Sequence, residues 1–127
     1  MDILNEIVCN LKEIKSKDNI NLLTFEKDNN LIQVLILQMN VGLKLGDKAV
    51  LYIKPTKIFL SKEKYLFDNV LPVNILDIKK GKIVSLIKAK FIDSVFEVVM
   101  LNEYINFEKK AFMLFKASDI SIRRKVD

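Results

Sequence analysis

The sequence predicts an all-β protein made of two tandem five-stranded barrels, and three observations predict it. The first is an internal duplication. Lys54-Pro55-Thr56-Lys57-Ile58-Phe59-Leu60 closes the first half, and sixty-two residues later Lys116-Ala117-Ser118-Asp119-Ile120-Ser121-Ile122 closes the second with the same order of residue types. The runs before them also match, Leu45 to Ile53 and Phe107 to Phe115, so that Ala49 falls over Ala111 and Lys54 over Lys116. The second is periodicity: apolar residues recur at every other position in short β-branched and aromatic runs, the period of strands. The third is the length of the repeat, about sixty residues, which is too long for a solenoid unit and suits a small barrel.

The elements follow in order. Ile7 to Leu11, Ile20 to Phe25, Leu31 to Leu37, Ala49 to Ile53 and Ile58 to Leu60 read as strands separated by polar turns. The second half repeats the series with Leu71 to Leu76, Ile83 to Lys90, Val95 to Leu101, Ala111 to Phe115 and Ile120 to Ile122. One short helical turn is expected in each copy before the fourth strand, around Gln38 to Leu43 and around Asn102 to Ile105. Gly46 is expected in a turn with positive φ. Five strands with a helical turn between the third and fourth make an OB-like barrel, here duplicated, with domains at 1–62 and 66–127 and a short linker around Lys62 to Tyr65. The opening segments correspond at an offset of sixty-four, Asn5 to Ile14 with Asn69 to Ile78, so two residues are gained within the first copy, expected at the Asp28-Asn29-Asn30 turn.

Composition narrows the chemistry. Units of about sixty residues are marginal alone, so the copies should lean on each other or on another chain. With one cysteine and no histidine in 127 residues, an internal disulfide and any Ser-His or Cys-His nucleophile pair are excluded, and no metal site is expected. Cys9 is expected as a buried core residue. No apolar run approaches the roughly 20 residues of a membrane span, and no signal peptide is visible, so the expected location is the cytoplasm with no membrane partner. Net charge is +5 and evenly spread. The compact basic run Arg123-Arg124-Lys125 is expected as a solvated terminal tail. Phe25, Phe59, Phe91, Phe96, Phe107, Phe112 and Phe115 fall at positions expected in core or interface.

In its order of elements the chain resembles a known family. An Asn, alternating apolar residues, a polar hairpin, a third strand, the segment Leu43-Lys44-Leu45-Gly46-Asp47, an apolar strand and Lys116-Ala117-Ser118 before a closing strand are similar to the molybdate-binding Mop or TOBE domain. Two tandem copies resemble a molbindin of the di-Mop type, over about Leu4 to Lys62 and Leu66 to Arg124. The resemblance implies a protein that binds molybdate or tungstate without covalent change, at interfaces between domain copies. Carried over by position, Lys116, Ala117 and Ser118 are oxyanion-binding candidates in the second copy, Lys54 and Thr56 in the first, and Asn5 and Asn69 at the starts of the two copies. A tetrahedral dianion leaving water needs several hydrogen-bond donors, and turn amides, a hydroxyl and a lysine supply them.

Three departures from the family pattern bear on the site. The family's Ser-Ala-Arg-Asn segment is replaced by Ile3-Leu4-Asn5 and Phe67-Asp68-Asn69, so both copies lack the arginine, and Asp68 should repel an anion. Pro55 removes one backbone donor from the first-copy motif. The Thr-x-x-Ser element is absent, with Leu37-Gln38-Met39-Asn40 and Val99-Met100-Leu101-Asn102 in its place.

The sequence reading is therefore a non-enzymatic, cytoplasmic oxyanion-binding protein for storage, buffering or sensing, with molybdate or tungstate as its ligand. A homo-oligomer is expected, a trimer first and a dimer second, because small barrels this rich in Phe, Ile and Leu leave apolar patches. Two rival readings are an assembly or partner-binding module that has lost its anion and a single-stranded nucleic-acid binder. Nucleic acid is the less expected partner, because that role needs aromatic side chains on an exposed strand face.

Overall fold

The computed structural model describes residues 3–37 and 42–127. Ten strands run β1 (Glu6–Lys17), β2 (Ile20–Lys27), β3 (Asn30–Ile36), β4 (Lys48–Ile53), β5 (Phe59–Ser61), β6 (Asn69–Lys80), β7 (Val84–Phe91), β8 (Ser94–Leu101), β9 (Lys110–Phe115) and β10 (Ile120–Val126). They form two curled five-stranded antiparallel sheets, and the architecture is all-β with two OB-like barrels. Each strand the sequence predicts is present. β1 and β6 run several residues beyond the alternating segments; Glu13 to Lys17 of β1 are exposed on both faces and are held to β2 by the backbone ladder and by a Ser16 hydroxyl donating to Asn21 Oδ1.

The order of strands within the sheets carries the main surprise. One sheet reads β10-β4-β1-β2-β3 and the other β5-β9-β6-β7-β8. The closing strand of each sequence copy therefore joins the sheet of the other copy: Leu60 pairs with Met113, and Ser121 with Tyr52. The buried side chains form one continuous cluster from Ile7 and Phe25 through Leu60 and Phe96 to Phe115 and Ile120. This satisfies the requirement that two marginal units share burial.

The duplication is exact in register through the first three strands. A bulge lies between Leu11 and Glu13 in β1 and between Ile75 and Asp77 in β6. The β2–β3 turn Asp28-Asn29 and the β7–β8 turn Ile92-Asp93 each hold two residues. The extra residues of the first copy are thus not at Asp28-Asn29-Asn30, as expected, but in the connection between β3 and β4. A hairpin turn of two residues fixes register and tolerates no drift, whereas the longer connection does.

Helical turns also differ from expectation. One 3-10 turn spans Asn102–Tyr104, where the second copy's turn was expected. Its first-copy counterpart at Gln38 to Leu43 falls largely outside the described residues. Two more 3-10 turns occupy Pro55–Lys57 and Ala117–Asp119, within the repeated motifs. Gly46 has φ +90 and its N–H donates to the Leu11 carbonyl at 2.7 Å, a bond that places the chain entering β4. Cys9 is buried in the core.

Phe25, Phe91, Phe96, Phe107 and Phe115 are buried as expected, whereas Phe112 is half-buried and Phe59 is exposed. The Arg123-Arg124-Lys125 run is not a free tail. It lies in β10, where the Arg123 guanidinium stacks 3.8 Å from the Tyr52 ring centre and donates to Glu6 Oε2 at 2.7 Å.

Candidate functional site

The two repeated motifs adopt the same local conformation. Lys54 (φ −65, ψ 143) and Lys116 (φ −76, ψ 144) are extended residues at the ends of β4 and β9, each followed by a 3-10 turn. The turns are closed by Lys57 N–H to Lys54 C=O at 2.9 Å and Asp119 N–H to Lys116 C=O at 3.1 Å. Pro55 fits the first position of its turn because its fixed φ suits a helical start and its missing N–H lies outside the turn's own bond. At these turns the chain leaves one sheet for the other. The Pro55–Lys57 turn packs on β8 and the Ala117–Asp119 turn on β3, each in the opposite half.

That crossing brings parts of both motifs together. A groove of about 370 Å³ is lined by Thr56, Lys57, Phe59, Phe67, Tyr104 and Lys116, among others. Thr56 comes from the first motif and Lys116 from the second, so the groove lies between the halves. The Phe59 and Tyr104 rings meet edge to face with centres 5.6 Å apart, and both are substantially exposed, at 42% and 51%. Of the remaining sequence candidates, Lys54 and Ser118 are exposed on their turns and Ala117 is buried. The groove's aromatic wall was not legible in sequence. Phe59 and Tyr104 lie forty-five residues apart, and strand exchange makes them neighbours.

Asn5 and Asn69 sit elsewhere and are already engaged. Asn5, with its side chain buried at 1% exposure, donates from Nδ2 to the carbonyls of Ile53 (2.8 Å) and Glu97 (3.0 Å), and its Oδ1 accepts from the Glu97 N–H at 2.8 Å. Asn69 repeats this across the pseudo-twofold: its Oδ1 accepts from Gln33 N–H at 2.7 Å and its Nδ2 donates to Gln33 C=O at 2.9 Å. Each carboxamide thus serves both backbone groups of one residue on the third strand of the other half. Asparagine suits the task because it carries donor and acceptor on one planar group, and at position 5 it also tolerates φ 64.

Asp68 is also engaged. Its Oδ2 accepts from the Ala117 N–H at 2.9 Å, although the residue is exposed. At the matching places of the first half stand Leu4 and Pro55, which provide neither the carboxylate nor the N–H. Among the described residues no group of three His, Cys, Asp or Glu side chains is placed to hold a metal ion, and no helix is long and apolar enough to cross a membrane.

The fold joins two OB-like barrels through the paired turns at the crossing points. No protein-family model matches the sequence, and no curated protein sequence matches it. A solved structure does match: the cytoplasmic molybdate-binding protein ModG with molybdate bound superposes with a TM-score of 0.82, covering 93% of this chain and 94% of that one at 13% sequence identity. At that identity the similarity establishes the fold.

Proposed function

We propose that this chain is a non-enzymatic binder of molybdate or tungstate that holds the oxyanion reversibly between its halves, for storage, buffering or sensing in the cytoplasm. The observation that carries the reading is the end-to-end likeness to a protein solved with molybdate bound. The geometry adds support. Thr56 and Lys116 line one groove from opposite halves, and with Lys57 the two lysines outnumber the single carboxylate of Asp119 there, which leaves a hydroxyl donor and a net positive charge for a small dianion. Lys54 on the first turn and Ala117 and Ser118 on the second are the remaining candidates. Asn5 and Asn69 act behind the sites, holding the turns' surroundings in register. The units of duplication are residues 1–62 and 66–127.

A homo-oligomer, a trimer or else a dimer, belongs to this proposal. Leu66, Leu76 and Ile83 are largely exposed in the single chain, and their burial between copies would supply the association energy. The test is calorimetric titration with molybdate, tungstate and sulfate, with the mass in solution measured alongside. Saturable heat with molybdate or tungstate and none with sulfate, at a fixed ratio of anions to chains, is the expected result. Absence of heat from the folded protein would overturn the reading and leave an assembly module.

The exposed Phe59 and Tyr104 beside Lys57 and Lys116 favour one rival, stacking of single-stranded nucleic-acid bases. Its signature is oligonucleotide binding that weakens steeply with salt.

A further inference from the structure

We propose that Asp68 is an internal competitor for the oxyanion at the second-half turn, so that the two halves of this protein bind anions unequally. The inference rests on the oxyanion reading above and concerns the same motif. Ala117 N–H belongs to the Lys116-Ala117-Ser118 turn, and its hydrogen bond goes to the Asp68 carboxylate at 2.9 Å. A carboxylate oxygen on a backbone amide presents the same chemistry as an oxygen of a tetrahedral oxyanion: negative charge, acceptor lone pairs and no proton to give. Asp68 therefore occupies a donor that an oxyanion on this turn would use, and its charge repels a dianion in the space beside it.

Asp68 is placed to do this by the sheet. Asn69 pairs with Phe115, so the residue before Asn69 lies against the residues after Phe115. Its sequence neighbour Phe67 and Ala117's neighbour Lys116 both line the groove, so the Asp68–Ala117 bond lies one residue along the chain from that lining on each side. The residue is exposed while Ala117 is buried, so the side chain can return to water without leaving a buried charge behind. That makes the contact displaceable rather than fixed.

The first half supplies an internal comparison. Register places Leu4 beside Pro55 as Asp68 lies beside Ala117, since Glu6 pairs with Tyr52 and Val70 with Leu114. Where the turn has an N–H, the chain provides a carboxylate for it; where proline has removed the N–H, the chain provides leucine. The matched loss of donor and acceptor is what a paired function of the two positions requires. Without ligand, the carboxylate also keeps the Ala117 amide satisfied, so the turn stays in its binding conformation when empty.

The test compares wild type with Asp68→Ala and Asp68→Asn by molybdate titration, with circular dichroism to verify folding. Asp68→Ala frees the amide and removes the charge. It should tighten molybdate binding on the order of tenfold to a hundredfold, or add one anion per chain, as expected when a charged hydrogen bond no longer has to be displaced. Asp68→Asn removes the charge but keeps an acceptor, so its gain should be smaller, and it carries the test if the alanine variant does not fold. In Asp68→Ala the Ala117 amide resonance should move on adding molybdate at concentrations that leave it unmoved in wild type. Wild-type affinity and stoichiometry in both variants, with wild type binding molybdate, would overturn the competitor role alone. Folded variants and wild type that all take up no molybdate would overturn the oxyanion reading and the competitor role together.

Discussion

Replacing Asn5 and Asn69 by alanine measures how firmly the halves are joined, and the two substitutions should differ. In Asn5→Ala the Glu97 N–H, the Glu97 C=O and the Ile53 C=O all lose partners now 2.8, 3.0 and 2.8 Å away. Taking about 1 kcal/mol for each unsatisfied, largely buried group gives about 3 kcal/mol. Alanine at φ 64 adds about 1 kcal/mol of backbone strain. The sum, about 4 kcal/mol, is a large share of the roughly 5–15 kcal/mol that stabilises an ordinary domain. Asn69→Ala loses two bonds, both to Gln33, and its backbone is not in the left-handed region, so its cost is about 2 kcal/mol. Urea unfolding followed by far-ultraviolet circular dichroism reads both. With a slope of about 2 kcal/mol per molar, the midpoints should fall by about 2 M and about 1 M. Equal midpoints for the two variants, or a cost below about 1 kcal/mol for Asn5→Ala, would refute the reasoning.

Lys116→Ala and Thr56→Ala, both on exposed positions, should each weaken molybdate binding about tenfold while moving stability by no more than about 0.5 kcal/mol, as checked by titration and thermal unfolding. Burial pushes the Cys9 thiol from 9.0 up to about 12, against a smaller lowering from Lys27. Its proton is therefore kept in the folded state when the unfolded chain has already lost it, so stability is intact below pH 9.0 and is lost as pH rises toward about 12. The loss is about 1.4 kcal/mol per pH unit in that window, and Cys9→Ala should remove it from the difference between urea midpoints measured across the window. Arg123→Ala should cost about 1 kcal/mol by thermal unfolding, and Arg123→Lys should not restore it, because an ammonium group lacks the planar face that lies on Tyr52.

The barrels were legible in sequence because half-buried strands alternate: Ile7, Cys9 and Leu11 point inward while Val8 and Asn10 do not. The pairing of strands between halves was not, because periodicity records which face is buried and not which sheet a strand joins. Nothing in Phe59-Leu60-Ser61 itself distinguishes β4 from β9 as its partner. The motif turns were found through their repetition, whereas Asp68 was read only as a repelling charge. Its bond to Ala117 depends on the register of β6 against β9, which no local pattern encodes. The Arg123 run was misread for a related reason: basic residues at a terminus look solvated until a partner strand with Tyr52 and Glu6 is placed beside them.

Exchange of the closing strands also bears on the proposed oxyanion site. If β5 closed its own copy, the Pro55–Lys57 turn would return to its own half, and Thr56 would share no wall with Lys116. Because β5 and β10 cross instead, each turn is clamped at both ends, by β4 or β9 before it and by the opposite sheet after it, and rests on the third strand of the other half. Donors on such a turn lose little freedom when they bind, which is where a site made of a few amides, one hydroxyl and one lysine gains affinity over the same groups on a loose loop. In the proposed site, the same clamping gives groups outside the groove lining, Asn5 and Asn69 above all, a hold on its geometry through the bonds they make between the halves.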